Sequence, residues 1–167
     1  MSLNEDGGSD DIAGKCVLVV EDDYVLAREV CNDLKSHGVH VLGPAPTVHY
    51  ANLIIGKRRL DGAILDIKLF GEEVYDLVDV LMARGVPIVF ATAYQPESID
   101  ARYRAVDTLH KPLNLAHLRR KVAAFRPQTP RNLVHRAEPA AREAVVQSSG
   151  SAQDRWARLL FEAMRDA

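Results

Sequence analysis

Four short apolar runs and a weaker fifth, each followed by a polar or charged residue, most limit what this 167-residue chain can fold into. The first, Cys16–Val20 (CVLVV), is continuous and too short for a helix, which fits a strand buried on both faces. Residues 39–42, closed by Gly43-Pro44, residues 63–65 and residues 87–91 have the same character, and residues 106–109 are a weaker example. Helical spacing fills the gaps. Over 23–37, Leu26, Val30 and Leu34 recur every fourth residue before Gly38, and 48–59 is a weaker helix carrying Leu53, Ile54 and Ile55. Residues 72–84 place Val74, Leu77, Val78 and Leu81 on one side before Gly85, and 113–125 does so with Leu115, Leu118, Val122 and Phe125. Residues 96–105 hold at most one short helix. Strand and helix therefore alternate, which predicts an α/β fold: a doubly wound five-stranded parallel sheet with helices on both faces and a shortened or irregular fourth helix.

That pattern occupies 15–126. Before it, residues 1–14 carry Glu5, Asp6, Asp10 and Asp11 and no base, and are expected to be a flexible segment. After it, Pro127, Pro130 and Pro139 with several Ser and Gln predict a linker over 127–150. Residues 151–167 then predict a C-terminal amphipathic helix, capped by Ser151, with Trp156, Leu159, Leu160, Ala163 and Met164 on one face. A stripe of this kind, over 151–166, suits self-association or a partner protein. A net charge of −2 offers no basic field for nucleic acid. No apolar run approaches the roughly 18 residues of a membrane span, and the first residues lack the basic and apolar regions of a signal peptide. A cytoplasmic location is expected. Cys16 and Cys31 form neither a disulfide framework nor a zinc pattern and are expected to be small buried hydrophobes.

In a parallel sheet, sites lie beyond the carboxyl ends of the strands. The residues found there are Glu21, Asp22 and Asp23 after the first run, Asp66 after the third, Thr92 after the fourth and Lys111 after the fifth. Asp23 fits a helix N-cap better than a ligand. Clustered carboxylates repel one another, and a hard divalent cation such as Mg²⁺ resolves the repulsion with oxygen ligands. A lysine and a hydroxyl beside them complete the parts that phosphoryl transfer uses. Asp66 has no structural reason to close an Ala-Ile-Leu strand without a partner. Lys57-Arg58-Arg59 fits a solvated helix end, and His110 a surface or core histidine. A dinucleotide fold would want a Gly-rich first turn where this chain has three acids. A phosphatase of the haloacid dehalogenase type would want a second Asp where Lys68 stands.

The order Glu21-Asp22, Asp66, Thr92, Lys111-Pro112 resembles the receiver domain of two-component response regulators, a flavodoxin-like fold, over residues 15–126. The resemblance implies Asp66 as phosphoacceptor. It implies Mg²⁺ held by Asp22 and Asp66, by Glu21 through water and by the Lys68 backbone carbonyl. Thr92 and Lys111 would stabilise the phosphoryl group. Phe90-Ala91-Thr92-Ala93-Tyr94 resembles the motif of the FAT GUY receivers of alphaproteobacteria, which have an irregular segment in place of the fourth helix. Only 18 residues lie between Thr92 and Lys111. Ordinary receivers carry an aromatic switch residue three positions before the lysine; here that position is Thr108, and Tyr94 is the candidate replacement. The implied function is a response regulator of a phosphorelay. It would be charged by a histidine kinase of the HWE or a related class, and would catalyse its own phosphorylation and slow dephosphorylation without being an enzyme on other molecules. Output would come from protein–protein contact, or the domain would act as a phosphate sink. The alternative is a regulatory scaffold with a receiver fold that is never phosphorylated.

Overall fold

The computed structural model describes residues 11–128. The acidic stretch up to residue 10, the linker from residue 129 onward and the expected helix 151–167 lie outside the described residues. The sheet is built from β1 (Cys16–Val20), β2 (His40–Ala45), β3 (Gly62–Leu65), β6 (Ile88–Thr92) and β7 (Asp107–His110). Its order is β2-β1-β3-β6-β7, and every neighbouring pair is parallel. The helices are α1 (Tyr24–Ser36), α2 (Val48–Ile55), α3 (Tyr75–Ala83) and α4 (Leu115–Ala123).

Burial explains the apolar runs. Val17 and Val19 face a core made with Val30, Cys31 and Leu34 of α1 and Leu118 and Val122 of α4. Leu18 and Val20 face the opposite core, with Ala51 and Ile55 of α2 and Leu77, Val78 and Leu81 of α3. A strand whose alternate residues serve two cores has no position left for a polar side chain, so its chemistry is displaced to its end. Each such side chain contributes about 1.5–3 kcal/mol by leaving water. Asp23 caps α1 as the sequence predicts, its Oδ1 accepting from the N–H groups of Val25 and Leu26. Thr47 and Asn114 cap α2 and α4 in the same way.

Four sequence expectations are corrected. Strand β2 does not stop at Gly43-Pro44 but runs on to Ala45, with an irregularity in its pairing to β1 between Leu18 and Val20. Helix α2 ends at Ile55, so Lys57, Arg58 and Arg59 follow the helix and stand exposed. The helix expected from residue 72 begins at Tyr75. Residues before it form a small hairpin, β4 (Lys68–Leu69) antiparallel to β5 (Glu72–Glu73), strands too short to leave a periodicity. The fold also starts earlier than residue 15: Ile12 is buried in the α1/α4 core, and the Gly14 N–H donates to the Gly38 carbonyl.

Between β6 and β7 two 3-10 turns, Pro96–Ser98 and Ala101–Tyr103, stand where a full helix would otherwise fit. The segment is nonetheless pinned. Ile99 and Tyr103 are buried, and the Tyr103 ring stacks on Tyr75 at 4.7 Å between centroids with 9° between planes. The Tyr103 hydroxyl donates to Asp79 Oδ1 at 2.7 Å, and the Asp100 N–H donates to the Tyr75 hydroxyl at 3.1 Å.

At the base of the sheet Gly62 lies under the Phe125 ring. A Cβ there would stand 2.0 Å from the ring, and Phe125 is itself buried. Gly62→Ala must therefore push Phe125 out of its place and is expected to destabilise the fold by about 1–3 kcal/mol. A urea unfolding midpoint equal to that of the wild type would show that the ring can shift without cost.

Candidate functional site

The sheet ladder continues through the acids. The Glu21 N–H donates to the Ala45 carbonyl at 3.0 Å and the Asp66 N–H to the Val20 carbonyl at 2.9 Å, so both backbones are fixed by neighbouring strands. At the far side the Lys111 N–H donates to the Thr92 carbonyl at 3.0 Å. Strand order places β3 between β1 and β6, so Asp66 stands in the middle of the row.

The side chains then converge. Lys111 Nζ lies 2.7 Å from Asp66 Oδ2 and 2.8 Å from Glu21 Oε2. Glu21, Asp66 and Thr92 are the buried polar or charged residues among the described ones. Glu21, Asp22 and Asp66 each offer a carboxylate oxygen, and these oxygens lie within 4.8 Å of one another. A hard-oxygen donor set of this kind fits Mg²⁺ or Ca²⁺ and not a soft metal. With all groups ionised, three carboxylates face a single ammonium, so the site keeps a net negative charge that a divalent cation would offset.

The remaining expected site residues differ in exposure, Lys68 exposed, Tyr94 half-buried and Thr92 buried. Lys68 has an exposed side chain, and its N–H approaches Asp66 Oδ1 at 3.4 Å. Thr92 Oγ1 accepts from the Tyr94 N–H at 3.2 Å, which ties the turn after β6 to the strand end. Tyr94 is half-buried against the α2/α3 core, and among the described residues its hydroxyl makes no hydrogen bond. His110 pairs with Thr92 in register and points to solvent. Cys31 is buried, its thiol pushed up to about 12 by burial, and Cys16 is half-buried.

Sequence reasoning missed two groups. The Phe70 N–H donates to Asp22 Oδ2 at 2.7 Å across 48 positions of sequence. Tyr75, Asp79 and Tyr103 anchor the segment after Thr92. Gly71 between Leu69 and two glutamates was the one local sign of the hairpin. The Tyr75–Tyr103 pair left no local sign, because it joins a helix to a turn.

Burial raises the Glu21 carboxyl from 4.5 to about 7, and Asp66 nearby adds to the rise. The Lys111 ammonium and the Asp23 N–H oppose it. Burial alone would lower the Lys111 ammonium, but its bonds to Asp66 and Glu21 turn the balance and hold it above its ordinary value. Because the folded-state value of Glu21 lies above the unfolded one, its stabilising contribution is complete below 4.5 and is lost as pH rises through about 7. Lys111 adds no slope in that window, since it is charged in both states. Without divalent cations, stability should fall by about 1–3 kcal/mol between about pH 5 and about pH 8. Glu21→Gln should flatten the fall, and denaturant midpoints across this range are the measurement. An equal slope in wild type and variant would remove Glu21 as its source.

No family model matches the sequence, and no curated protein matches it. Solved structures do. SdrG from Sphingomonas melonis Fr1 is 31% identical with a TM-score of 0.59, over 66% of this chain and 95% of that one. The receiver domain of the PhyR response regulator from Erythrobacter litoralis is 26% identical with a TM-score of 0.61, over 73% of this chain and 98% of that one. PhyR from Brucella abortus, at 23% identity and a TM-score of 0.59, shares the fold over 70% of this chain. The chain spans 50% of that longer protein.

Proposed function

Because the chain belongs to the receiver-domain family of response regulators, we propose that it accepts a phosphoryl group on Asp66 from a phosphohistidine donor. The observation that carries this is Lys111, whose single ammonium bridges Asp66 and Glu21 at the centre of an acidic cluster. An acid buried at a strand end beside a lysine is a nucleophile with a charge partner already in place.

Glu21, Asp22 and Asp66 would hold Mg²⁺, with the Lys68 carbonyl as a further oxygen. When bound, the ion supplies positive charge for the oxygens of the transferring group. The Asp66 carboxylate oxygen attacks phosphorus. One O–P bond forms as the P–N bond of the donor breaks, and the histidine leaves with its electron pair. Lys111 stays charged throughout and moves its attraction from the Asp66 carboxylate to the phosphoryl oxygens. Thr92 Oγ1 accepts from the Tyr94 N–H, so its own O–H is free to donate to a phosphoryl oxygen. Water later cleaves the same acyl phosphate. The domain is thus a phosphoacceptor that catalyses its own modification, and not an enzyme acting on other molecules.

Tyr94 is the proposed aromatic switch, in keeping with the FAT GUY resemblance of residues 90–94 and with a kinase of the HWE or a related class. The cell compartment that fits is the cytoplasm. Output would be protein contact or phosphate drainage.

Asp66→Asn keeps the side chain's shape and removes its nucleophile. The variant should fold, as judged by circular dichroism, and take no phosphoryl group from acetyl phosphate and Mg²⁺. Intact-mass labelling that persists in the variant, mapped to another aspartate, would overturn the assignment.

The anchors described above divide the segment after Thr92 into two parts. Residues 93–98 are tied to Thr92 through the Tyr94 N–H and to Arg104 through the Glu97 carbonyl, whereas 99–106 are held by the buried Ile99 and by the Tyr75–Tyr103 stack and its hydrogen bonds. A beryllofluoride mimic of the phosphoryl group should change amide exchange in 93–98 by about tenfold or more and leave Tyr103 unchanged. Equal changes in both parts would show that the tyrosine anchor does not hold.

A further inference from the structure

Phe70 is the one non-glycine residue among the described ones with a positive φ, at 47°. Pairing of Lys68 with Glu73 and of Leu69 with Glu72 leaves Phe70 and Gly71 as a two-residue turn, and Gly71 also has positive φ, at 90°. Positive φ at both positions is what a type I′ hairpin turn requires, and Asn, Asp or Gly meet it best at the first. A bulky aromatic there is strained, and strain of this kind persists only where surrounding contacts enforce it.

Three contacts enforce it. Leu69 is buried at 1% exposure and fastens the first hairpin strand to the α2/α3 core. The Val74 N–H donates to the Ile67 carbonyl at 2.9 Å and closes the base of the hairpin. The tip itself is held by one long-range bond, from the Phe70 N–H to Asp22 Oδ2 at 2.7 Å. The Lys68 N–H, two residues earlier in the chain, approaches Asp66 at 3.4 Å. Two N–H groups of the hairpin thus approach two of the carboxylates, Lys68 that of Asp66 and Phe70 that of Asp22.

We propose that the Phe70 backbone N–H is a positioning group for the cation site, fixing the Asp22 carboxylate in the orientation that joins it to Glu21 and Asp66. The oxygens of the three acids lie within 4.8 Å of one another while this bond is made, so the bound orientation is already the one in which they cluster. The N–H engages Oδ2 and leaves Oδ1 available, as outer partners of metal-binding carboxylates commonly do. The relation is reciprocal: the hairpin tip orients Asp22, and Asp22 holds the tip in a conformation that phenylalanine disfavours. This deepens the reading of Glu21, Asp22 and Asp66 as the Mg²⁺ site and rests on it.

The test uses the ¹⁵N-labelled full chain in two steps. First, without metal, the Phe70 amide proton should resonate at low field and exchange slowly. In Asp22→Ala it should move upfield and exchange about tenfold or more faster. An amide that behaves alike in both proteins shows that the bond is not made and overturns the proposal. Second, Mg²⁺ is titrated by amide shifts into a chain carrying an ester in place of the Leu69–Phe70 amide, which removes this N–H alone. Its Mg²⁺ dissociation constant should rise about tenfold. An unchanged constant overturns the proposal. So does an equal loss in Phe70→Gly, which keeps the N–H and deletes the side chain. Should the ester fail to fold, the metal-free comparison decides by itself. Absence of any Mg²⁺ binding by the wild type would instead refute the cation reading, while that comparison still reports on the Asp22 bond.

Discussion

Among the described residues Lys111 is the one cation directly bonded to the buried acids, and the geometry of the fold is what lets it reach them. It stands just past β7, at the sheet edge, yet its Nζ meets Asp66 just past β3 and Glu21 just past β1. That reach needs parallel strands that all finish on the same side, and a short residue, Thr92, at the end of the intervening β6. Removing the ammonium would leave two nearly buried carboxylates side by side, the arrangement that costs most when one partner of a buried ion pair is lost. The same contact keeps the lysine charged, since its bonds to the two acids outweigh the burial that would neutralise it.

The second constraint is that Lys111 cannot satisfy every acid. Glu21 is the most enclosed of them and responds by holding its proton to higher pH than an exposed glutamate would. Asp22 takes a backbone N–H from the hairpin tip. Asp66 shares the Lys111 ammonium with Glu21, at 2.7 and 2.8 Å. The three carboxylates are thus met by one ammonium shared between Glu21 and Asp66, by a raised proton affinity at Glu21 and by a backbone N–H at Asp22. A divalent cation would offset the negative charge that this single shared ammonium leaves in the cluster.

How much of this could be read from the residues follows from the range of the forces involved. The apolar runs announced the five sheet strands because burial on two faces demands a continuous hydrophobic stretch, and that demand is local. Strand ends then gave Glu21, Asp22, Asp66, Thr92 and Lys111 by topology alone, since in a parallel sheet those ends share one edge. Asp23 was legible for the same local reason, a carboxylate placed to receive the first N–H groups of α1. The hairpin of residues 68–73 was not, because strands of two residues carry no period and Phe70 violates the turn preference that would have marked it. The run of β2 through Gly43-Pro44 was missed because glycine and proline ordinarily end strands, and here the pairing with β1 absorbs them at an irregularity.

The segment after Thr92 shows why a weak local pattern need not mean a loose structure. Residues 96–105 have no apolar stripe of helical spacing, and propensity alone suggests low local stability. Yet two buried side chains, Ile99 and Tyr103, fasten it, and the Tyr103 hydroxyl and the Asp100 N–H each find a partner on α3. A stacked aromatic pair contributes about 0.5–1.5 kcal/mol beyond the area it buries, enough to fix the distal half of the segment without a helix. The short stretch between Thr92 and Ile99 is tied by the Tyr94 N–H to Thr92 Oγ1 and by Arg104 to the Glu97 carbonyl, and it carries Tyr94 with its hydroxyl unbonded among the described residues. Thr92 and Tyr94 are directly linked, because Thr92 Oγ1 is the atom that holds the Tyr94 N–H, and a group that engaged this hydroxyl would meet Tyr94 at one remove.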